Sequence, residues 1–272
     1  MAAELQFSKQ PKALLAITDS LLMIKRSSTH ILRNTDQLLG TFFQPIMFLV
    51  LFASVFGGAI GQALPQGISY INFLMAGIIV QTVAFGSTTT ALAVCSDMQK
   101  GIVDRFRSLP MSNVAVLNGH VVSDLFRNTI STVVMILAGL AIGFRSSANV
   151  FEWLAIAGIL LLFTFAFSWL AAIIGVYSKS VEAVQWLTFI IIFPLTFASS
   201  AFTPTTGMNT YLKAFAENQP ITQVVNAVRS LMLDDPRFPI GSFGWKSIAW
   251  SLLILVISVP IATKLYNRKT SN

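Results

Sequence analysis

Six long apolar stretches, separated by segments that carry most of the charge, constrain the fold of this chain more than any other feature. A helix that crosses a bilayer needs about 20 mostly apolar residues. Only 11% of the 272 residues are charged, whereas a soluble domain usually has about 25%. The sequence therefore predicts an all-α integral membrane protein with six transmembrane helices, at residues 38–60, 71–94, 125–144, 153–177, 183–202 and 248–266.

The distribution of Lys and Arg between these stretches predicts the orientation. Cytoplasmic segments of membrane proteins carry an excess of these cations. Thirteen of the 18 Lys and Arg lie in the N-terminal 37 residues, in the second and fourth connections with the entrance of the third span, or in the C-terminal tail. We therefore expect a multi-pass protein of a bacterial-type cell membrane with both termini in the cytoplasm. The net charge of +7 is explained by this topology, and nucleic acid is not an expected partner.

The N-terminal segment, residues 1–37, contains an amphipathic pattern over residues 12–33. Its apolar residues recur at helical spacing, and Asp19, Arg26 and Arg33 fall on the opposite face. Such a helix lies in the membrane interface with its cations near the lipid headgroups. The alternative is a solvated helix that packs on a partner domain.

The second connection, residues 97–113, combines an apolar stripe with charged residues. Ile102, Val103 and Phe106 recur at spacings of three to four, while Asp104 and Arg105 point elsewhere. A short amphipathic helix of this kind can dock into a groove on another protein. The alternative is a charged cytoplasmic loop that only fixes orientation.

The fifth connection, residues 203–244, is long and only partly polar. It predicts two short helices, at residues 208–215 and from Pro220 onward, with Asp234, Asp235 and Pro236 ending the second. Apolar residues of the second helix share one face. The pair is either a hairpin that dips into the outer leaflet or a folded external cap.

The residues required for several kinds of catalysis are missing. The sequence has no G-x-x-x-x-G-K-[ST] phosphate loop and no H-E-x-x-H motif. The single Cys95 excludes an intrachain disulfide and any multi-cysteine metal site. We therefore expect this chain to have no enzymatic activity and no cofactor. A membrane protein without its own energy source, but with a docking segment, suggests a subunit driven by a separate ATPase.

A few polar residues lie within or beside the apolar stretches. Gln44, Gln81 and Gln185 fall in the first, second and fifth spans, where they either contact a substrate or form hydrogen bonds between helices. Asp124 and Arg127 are three residues apart at the entrance of the third span. We expect them to pair at the cytoplasmic interface, with a proton relay as the alternative.

Three stretches of this sequence match a family pattern: QPIMFLVLFASVFGGAI (44–60), KGIVDRFRSLPMSNVAVLNGHV (100–121) and FASSAFTPTTGMNTYLKAFAENQPITQVVNAVRSL (197–231). In these stretches the chain resembles the permease subunits of type-2 ABC exporters, especially the daunorubicin-resistance-like branch. Asn209 and the inserted Gln219 depart from the family pattern of the hairpin. The resemblance extends over nearly the whole chain, which it identifies as a single transmembrane domain, with a six-span bundle at residues 38–266.

The resemblance implies an interfacial helix before the first span, a coupling helix between spans two and three, and an assembly of two permease with two ATPase subunits. The second permease is either an identical or a different chain. ATP and Mg are then bound by the partner ATPase, and an amphiphilic drug or lipid-like substrate moves outward near spans one, two and five. The ATPase-coupling residues would be Gly101, Ile102, Asp104, Arg105, Phe106 and Arg107.

Two alternatives to drug export remain open at this point. One is export of a polysaccharide or glycolipid by a member of the same family. The other is an ion-driven secondary transporter, a class that tends to place charges or broken helices near the bilayer midplane. The predicted spans contain Gln but no central acid or base, which argues against the second alternative.

Overall fold

The computed structural model describes the backbone of residues 35–64, 67–100, 113–235 and 240–271, with side chains for 43–64, 67–100, 116–235 and 240–269. Every regular element in these ranges is helical, which confirms the all-α prediction. The predicted interfacial helix at residues 12–33 and most of the coupling segment lie outside the described residues. The helices are α1 (Thr35–Leu51), α2 (Gly57–Gly61), α3 (Tyr70–Gly86), α4 (Thr88–Gln99), α5 (Asn113–Ala141), α6 (Val150–Tyr177), α7 (Val181–Phe197), α8 (Thr210–Asn218), α9 (Pro220–Leu233) and α10 (Ile240–Ser271).

Five helical segments in the described residues are long and apolar enough to cross a membrane. They are Phe43–Gly61, Tyr70–Gln99, Val116–Ala141, Val150–Tyr177 and Ile240–Lys269. The sixth apolar helix, α7, has 17 residues and is about 26 Å long at 1.5 Å per residue, slightly less than the roughly 30 Å of a bilayer core.

The helix α7 ends five residues before the predicted limit of the fifth span. Pro194 lies in its last turn, and the chain leaves the helix at Ala198. The Ser199 hydroxyl donates a hydrogen bond to the Thr196 carbonyl at 2.5 Å. Hydroxyls that bond nearby carbonyls compete with the hydrogen bonds of a helix. The prediction was based on the apolar run alone, so it made this helix too long.

The second span is broken into two helices, where the sequence predicted one continuous helix. The break falls at Gly86 and Ser87, between α3 and α4. The Ser87 hydroxyl donates to the Ala84 carbonyl at 2.7 Å. Gly and Ser pairs are frequent positions of kinks because they leave room for, and provide, alternative backbone contacts.

The predicted pair of short helices is present as α8 and α9. Asn209 caps α8 by accepting a hydrogen bond from the Leu212 amide at 2.8 Å. The Gln219 side-chain amide donates to the carbonyls of Leu195 at 2.7 Å and Ala198 at 3.1 Å. The two departures from the family pattern thus stabilise the hairpin and attach it to the end of α7. Asp234 ends α9 in the left-handed conformation, with φ of 46°.

The apolar face of α9 is covered by other helices. It packs against α3, α6 and α10. The hairpin helix is therefore part of the folded bundle, and this face contacts protein. Its fully buried residues are Ile221, Val224, Val225, Val228 and Met232.

The spans differ greatly in how much of their surface other helices cover. The most apolar part of Tyr70–Gln99 is 72% buried, whereas the corresponding part of Phe43–Gly61 is only 6% buried. The broken second span is therefore central to the described fold, and the first span lies at its periphery.

Candidate functional site

Gln44, Gln81 and Gln185 line one cavity of about 410 Å³ between α1, α3 and α7. The three residues are separated by up to 141 positions in sequence, yet the bundle places them around the same space. Gln81 is buried, and its side-chain oxygen has no hydrogen-bond partner among the described residues. This carbonyl is therefore available to a donor group on a ligand or to water. Direct contact with a substrate stays a prediction.

The rest of the lining of this glutamine cavity is largely apolar. Pro45 and Phe48 contribute from α1, and Phe85 and Leu92 from the two halves of the broken span. Cavities that bind small molecules usually combine an apolar surface with a few polar groups that fix orientation. The lining therefore suits a molecule with an apolar body and a small number of hydrogen-bonding groups.

A buried ion pair lies directly behind the wall of the glutamine cavity. Asp124 and Arg127 pair on α5, as expected, but their exposed fractions are only 2% and 6%. The helix α5 begins at Asn113, so the pair lies about three turns inside this helix. Its position relative to the cytoplasmic interface stays a prediction. The spacing of the two residues was visible in the sequence, whereas their burial was not.

The ion pair contacts the break in the second span. An Arg127 Nη2 donates to the Gly86 carbonyl at 2.8 Å. The Thr89 hydroxyl lies 3.3 Å from Asp124 Oδ1, and Ser168 on α6 donates to the other carboxylate oxygen. Gly86 and Thr89 also line the glutamine cavity. The pair therefore joins α5 to three other helices, α3, α4 and α6, and contributes to the shape of one cavity wall.

Close packing of Asn128 against Gly86 strengthens this junction. A Cβ added to Gly86 would lie 2.0 Å from the Asn128 side-chain oxygen, so only glycine fits without displacement of that side chain. The carboxylate of Asp124 is compensated by Arg127 and by two hydroxyls. These contacts describe a structural ion pair, and they favour that interpretation over the proton relay.

The predicted coupling residues, Gly101 to Arg107, lie outside the described residues. The helices on either side of them are described, and His120 of α5 pairs with Asp97 of α4 at 3.0 Å. Gln99 donates to the Lys179 carbonyl at 2.8 Å, and Lys269 Nζ donates to the Val176 carbonyl at 2.6 Å. The second connection, the fourth connection and the C-terminal helix thus meet at one end of the bundle. That this end faces the cytoplasm stays a prediction.

A bundle of several long apolar helices is typical of a multi-pass membrane protein. The sequence model of the family described as ABC-2 type transporter matches residues 18–233. The chain belongs to this family, which confirms the resemblance found in the sequence.

Curated relatives cover most of the chain. It is 26% identical over 272 residues to a daunorubicin resistance ABC transporter permease protein, DrrB1, of Streptomyces coeruleorubidus, across 98% of this chain and 93% of that protein. It is 24% identical to a probable doxorubicin resistance ABC transporter permease protein, DrrC, of Mycobacterium tuberculosis, across 93% and 90%. It is 22% identical to the inner membrane transport permease YadH of Escherichia coli, across 78% and 87%.

Proposed function

We propose that this chain is the permease subunit of an ATP-driven ABC exporter, and that an amphiphilic drug or lipid-like molecule leaves the cytoplasm through the glutamine cavity. The observation that carries the proposal is the convergence of Gln44, Gln81 and Gln185 on one largely apolar cavity. The relatives named for daunorubicin and doxorubicin resistance support a drug-like substrate.

The energy for transport comes from a separate ABC ATP-binding subunit, which binds ATP and Mg. A second permease subunit, identical or different, completes the path. The sparsely covered first span supports such a partner, since Phe43, Met47 and Val55 of this span are exposed. Membrane lipid covers the remaining apolar surface. In this arrangement both termini face the cytoplasm of the cell, and the α8–α9 hairpin lies at the outer end.

Replacing Gln81 by Leu is expected to reduce substrate transport about tenfold while leaving the amount of folded protein unchanged. Leu has a similar volume, so packing is kept and only the unpaired amide of the cavity is lost. A hydrogen bond to a buried amide contributes about 0.5–1.5 kcal/mol, or up to tenfold in affinity. The measurement is uptake of a fluorescent anthracycline into inside-out vesicles that contain the permease and its ATPase.

The matched control is Gln62→Leu, which removes an exposed amide outside the cavity. Transport by the control should equal that of the unaltered protein. Equal transport by both variants would exclude a role of Gln81 in substrate recognition.

Replacing Phe106 by Ala is expected to detach the ATPase or abolish substrate-stimulated ATP hydrolysis. An aromatic anchor often dominates an interface of this kind, and its truncation frequently costs about 2 kcal/mol or more. Arg105→Glu should have a milder effect, because rim charges mainly influence orientation and association rate. The measurements are co-purification of the ATPase with the permease and the rate of ATP hydrolysis with and without substrate.

Phe151→Ala is the control for the loss of an exposed phenyl group, since Phe151 is 82% exposed at the opposite end of the bundle. This variant should retain the ATPase. A Phe106→Ala protein that co-purifies with a fully stimulated ATPase would show that the second connection does not couple the subunits.

A further inference from the structure

A second cavity, of about 540 Å³, lies at the hairpin end of the bundle between α3, α9 and the start of α10. It shares no lining residue with the glutamine cavity. Two cations, Arg229 and Lys246, line it together with Gln223 and two phenyl rings, those of Phe73 and Phe243. We refer to it as the hairpin cavity.

Arg229 forms a fixed part of its wall. The residue is 1% exposed, and its guanidinium donates to the Ser200 carbonyl at 2.7 Å and the Phe73 carbonyl at 3.1 Å. The guanidinium carbon also lies 3.6 Å from the centre of the Phe73 ring. An arginine keeps its positive charge at neutral pH even when it is buried. A cation held in this way creates a lasting positive potential in the cavity.

Lys246 provides a second, less constrained cation. It is partly buried and lines the hairpin cavity, yet it forms no hydrogen bond or ion pair with any residue that the structure describes. The side-chain oxygen of Gln223 also lacks a hydrogen-bond partner within the described ranges. The carboxylate in the lining, Glu217, is already engaged by the Thr205 hydroxyl at 3.0 Å and by Lys213 at 3.9 Å. The lining therefore has an excess of positive charge.

The position of the cavity along the bundle indicates where its ligand comes from. Lys246 lies near the beginning of the last span, and the adjacent Trp245 is 62% exposed. Tryptophan is enriched where spans meet the lipid headgroups. Lys and Arg side chains are the usual partners of phosphate groups in proteins.

We propose that the hairpin cavity binds an anionic phosphate group, carried either by a membrane lipid or by a water-soluble phosphate ester. Lys246 contacts the phosphate, Arg229 maintains the positive potential behind it, and the phenyl groups of Phe73 and Phe243 accept the apolar part of the ligand. The proposal does not depend on transport through the glutamine cavity. Binding at the hairpin end would stabilise the contact between α9 and α10.

The test uses the full chain in nanodiscs that contain phosphatidylglycerol and phosphatidylcholine, with retained lipids counted by native mass spectrometry. The unaltered protein should retain phosphatidylglycerol preferentially. Lys246→Gln should weaken this retention about fivefold, the contribution expected of one cation near anionic lipid, and Lys246→Arg should preserve it. Arg145→Gln is the matched control, since it removes an exposed cation beside the end of α9 that does not line the cavity.

A competition with glycerol 3-phosphate distinguishes the two sources. If this soluble ester displaces phosphatidylglycerol, the phosphate alone is sufficient and a water-soluble ligand fits the site. If it does not, the ligand is a bilayer lipid. The proposal is overturned if Lys246→Gln retains phosphatidylglycerol like the unaltered protein, or if Arg145→Gln reduces retention equally.

Discussion

Replacing Asp124 by Asn is expected to lower the free energy of unfolding by about 3 kcal/mol, because it leaves the buried Arg127 without its counter-charge. Removal of one member of a buried ion pair typically costs about 3–5 kcal/mol. Asn keeps the shape of Asp, and it can accept a hydrogen bond from one of the Thr89 and Ser168 hydroxyls and donate one to the other, so the loss reports mainly the charge. Arginine does not lose its proton in proteins, so Arg127 would remain a buried charge without a partner. Reversible unfolding of the purified protein in mixed micelles measures the effect.

The double variant Asp124→Asn/Arg127→Met should recover most of this loss, since no buried charge remains. A buried pair replaced by uncharged residues of similar size is often neutral in stability. Glu217→Gln is the control, because it breaks the exposed pair with Lys213 and should change stability by less than about 0.5 kcal/mol. If the double variant is less stable than Asp124→Asn alone, the pair does not act as a unit and our interpretation of the junction is wrong.

The second large effect is expected from Gly77→Ala, which should destabilise the protein by about 3 kcal/mol or more. A Cβ at this position would lie 2.0 Å from the Ala201 carbonyl oxygen and 2.7 Å from its Cα. Atoms of a backbone cannot move aside as the end of a flexible side chain can. The neighbouring carbonyl of Ser200 accepts from Arg229 at 2.7 Å, and that of Phe202 accepts from the Tyr70 hydroxyl at 3.1 Å. Overpacking a rigid site therefore has an effect at or above the usual 1–3 kcal/mol.

Gly158→Ala provides a matched control within another span. Nothing lies within 4 Å of a Cβ added there, so the substitution should be neutral or stabilise the protein by about 0.5–1 kcal/mol through helix propensity. Unfolding midpoints of both variants in the same micelles give the comparison. Equal stabilities would mean that α3 and the 198–204 segment do not pack as closely as the structure shows.

The sequence was sufficient to predict the features that depend on neighbours along the chain. Apolar runs of about 20 residues identify the spans, because each helix must satisfy its own backbone hydrogen bonds in lipid. The face of α9 that buries Val224 and Val228 was visible in its helical spacing, and so was the end of this helix at Asp234. The family could also be identified from local stretches of residues, and the match to residues 18–233 confirms it.

The first and last residues of the helices were predicted less accurately, because hydropathy carries no information about individual hydrogen bonds. The Ser87 hydroxyl forms its hydrogen bond at the break between α3 and α4, and the Ser199 hydroxyl forms one just after the end of α7. Neither helix limit could be predicted from apolar composition alone. The apolar run of the third span begins at residue 125, but the helix α5 already begins at Asn113, so Asp124 lies well inside it and is buried.

Only the tertiary structure decided which residues from different helices meet. Nothing local relates Gln44 to Gln185, and their common cavity results from how α1, α3 and α7 pack. The burial of Asp124 and Arg127 likewise depends on contacts with Gly86 and Ser168 from other helices. Spacing along one helix fixes which side chains share a face, but the partner of that face is set by packing between segments far apart in the chain. For the same reason, Lys246 became a candidate phosphate-binding residue only when the fold placed it in the same cavity as Arg229.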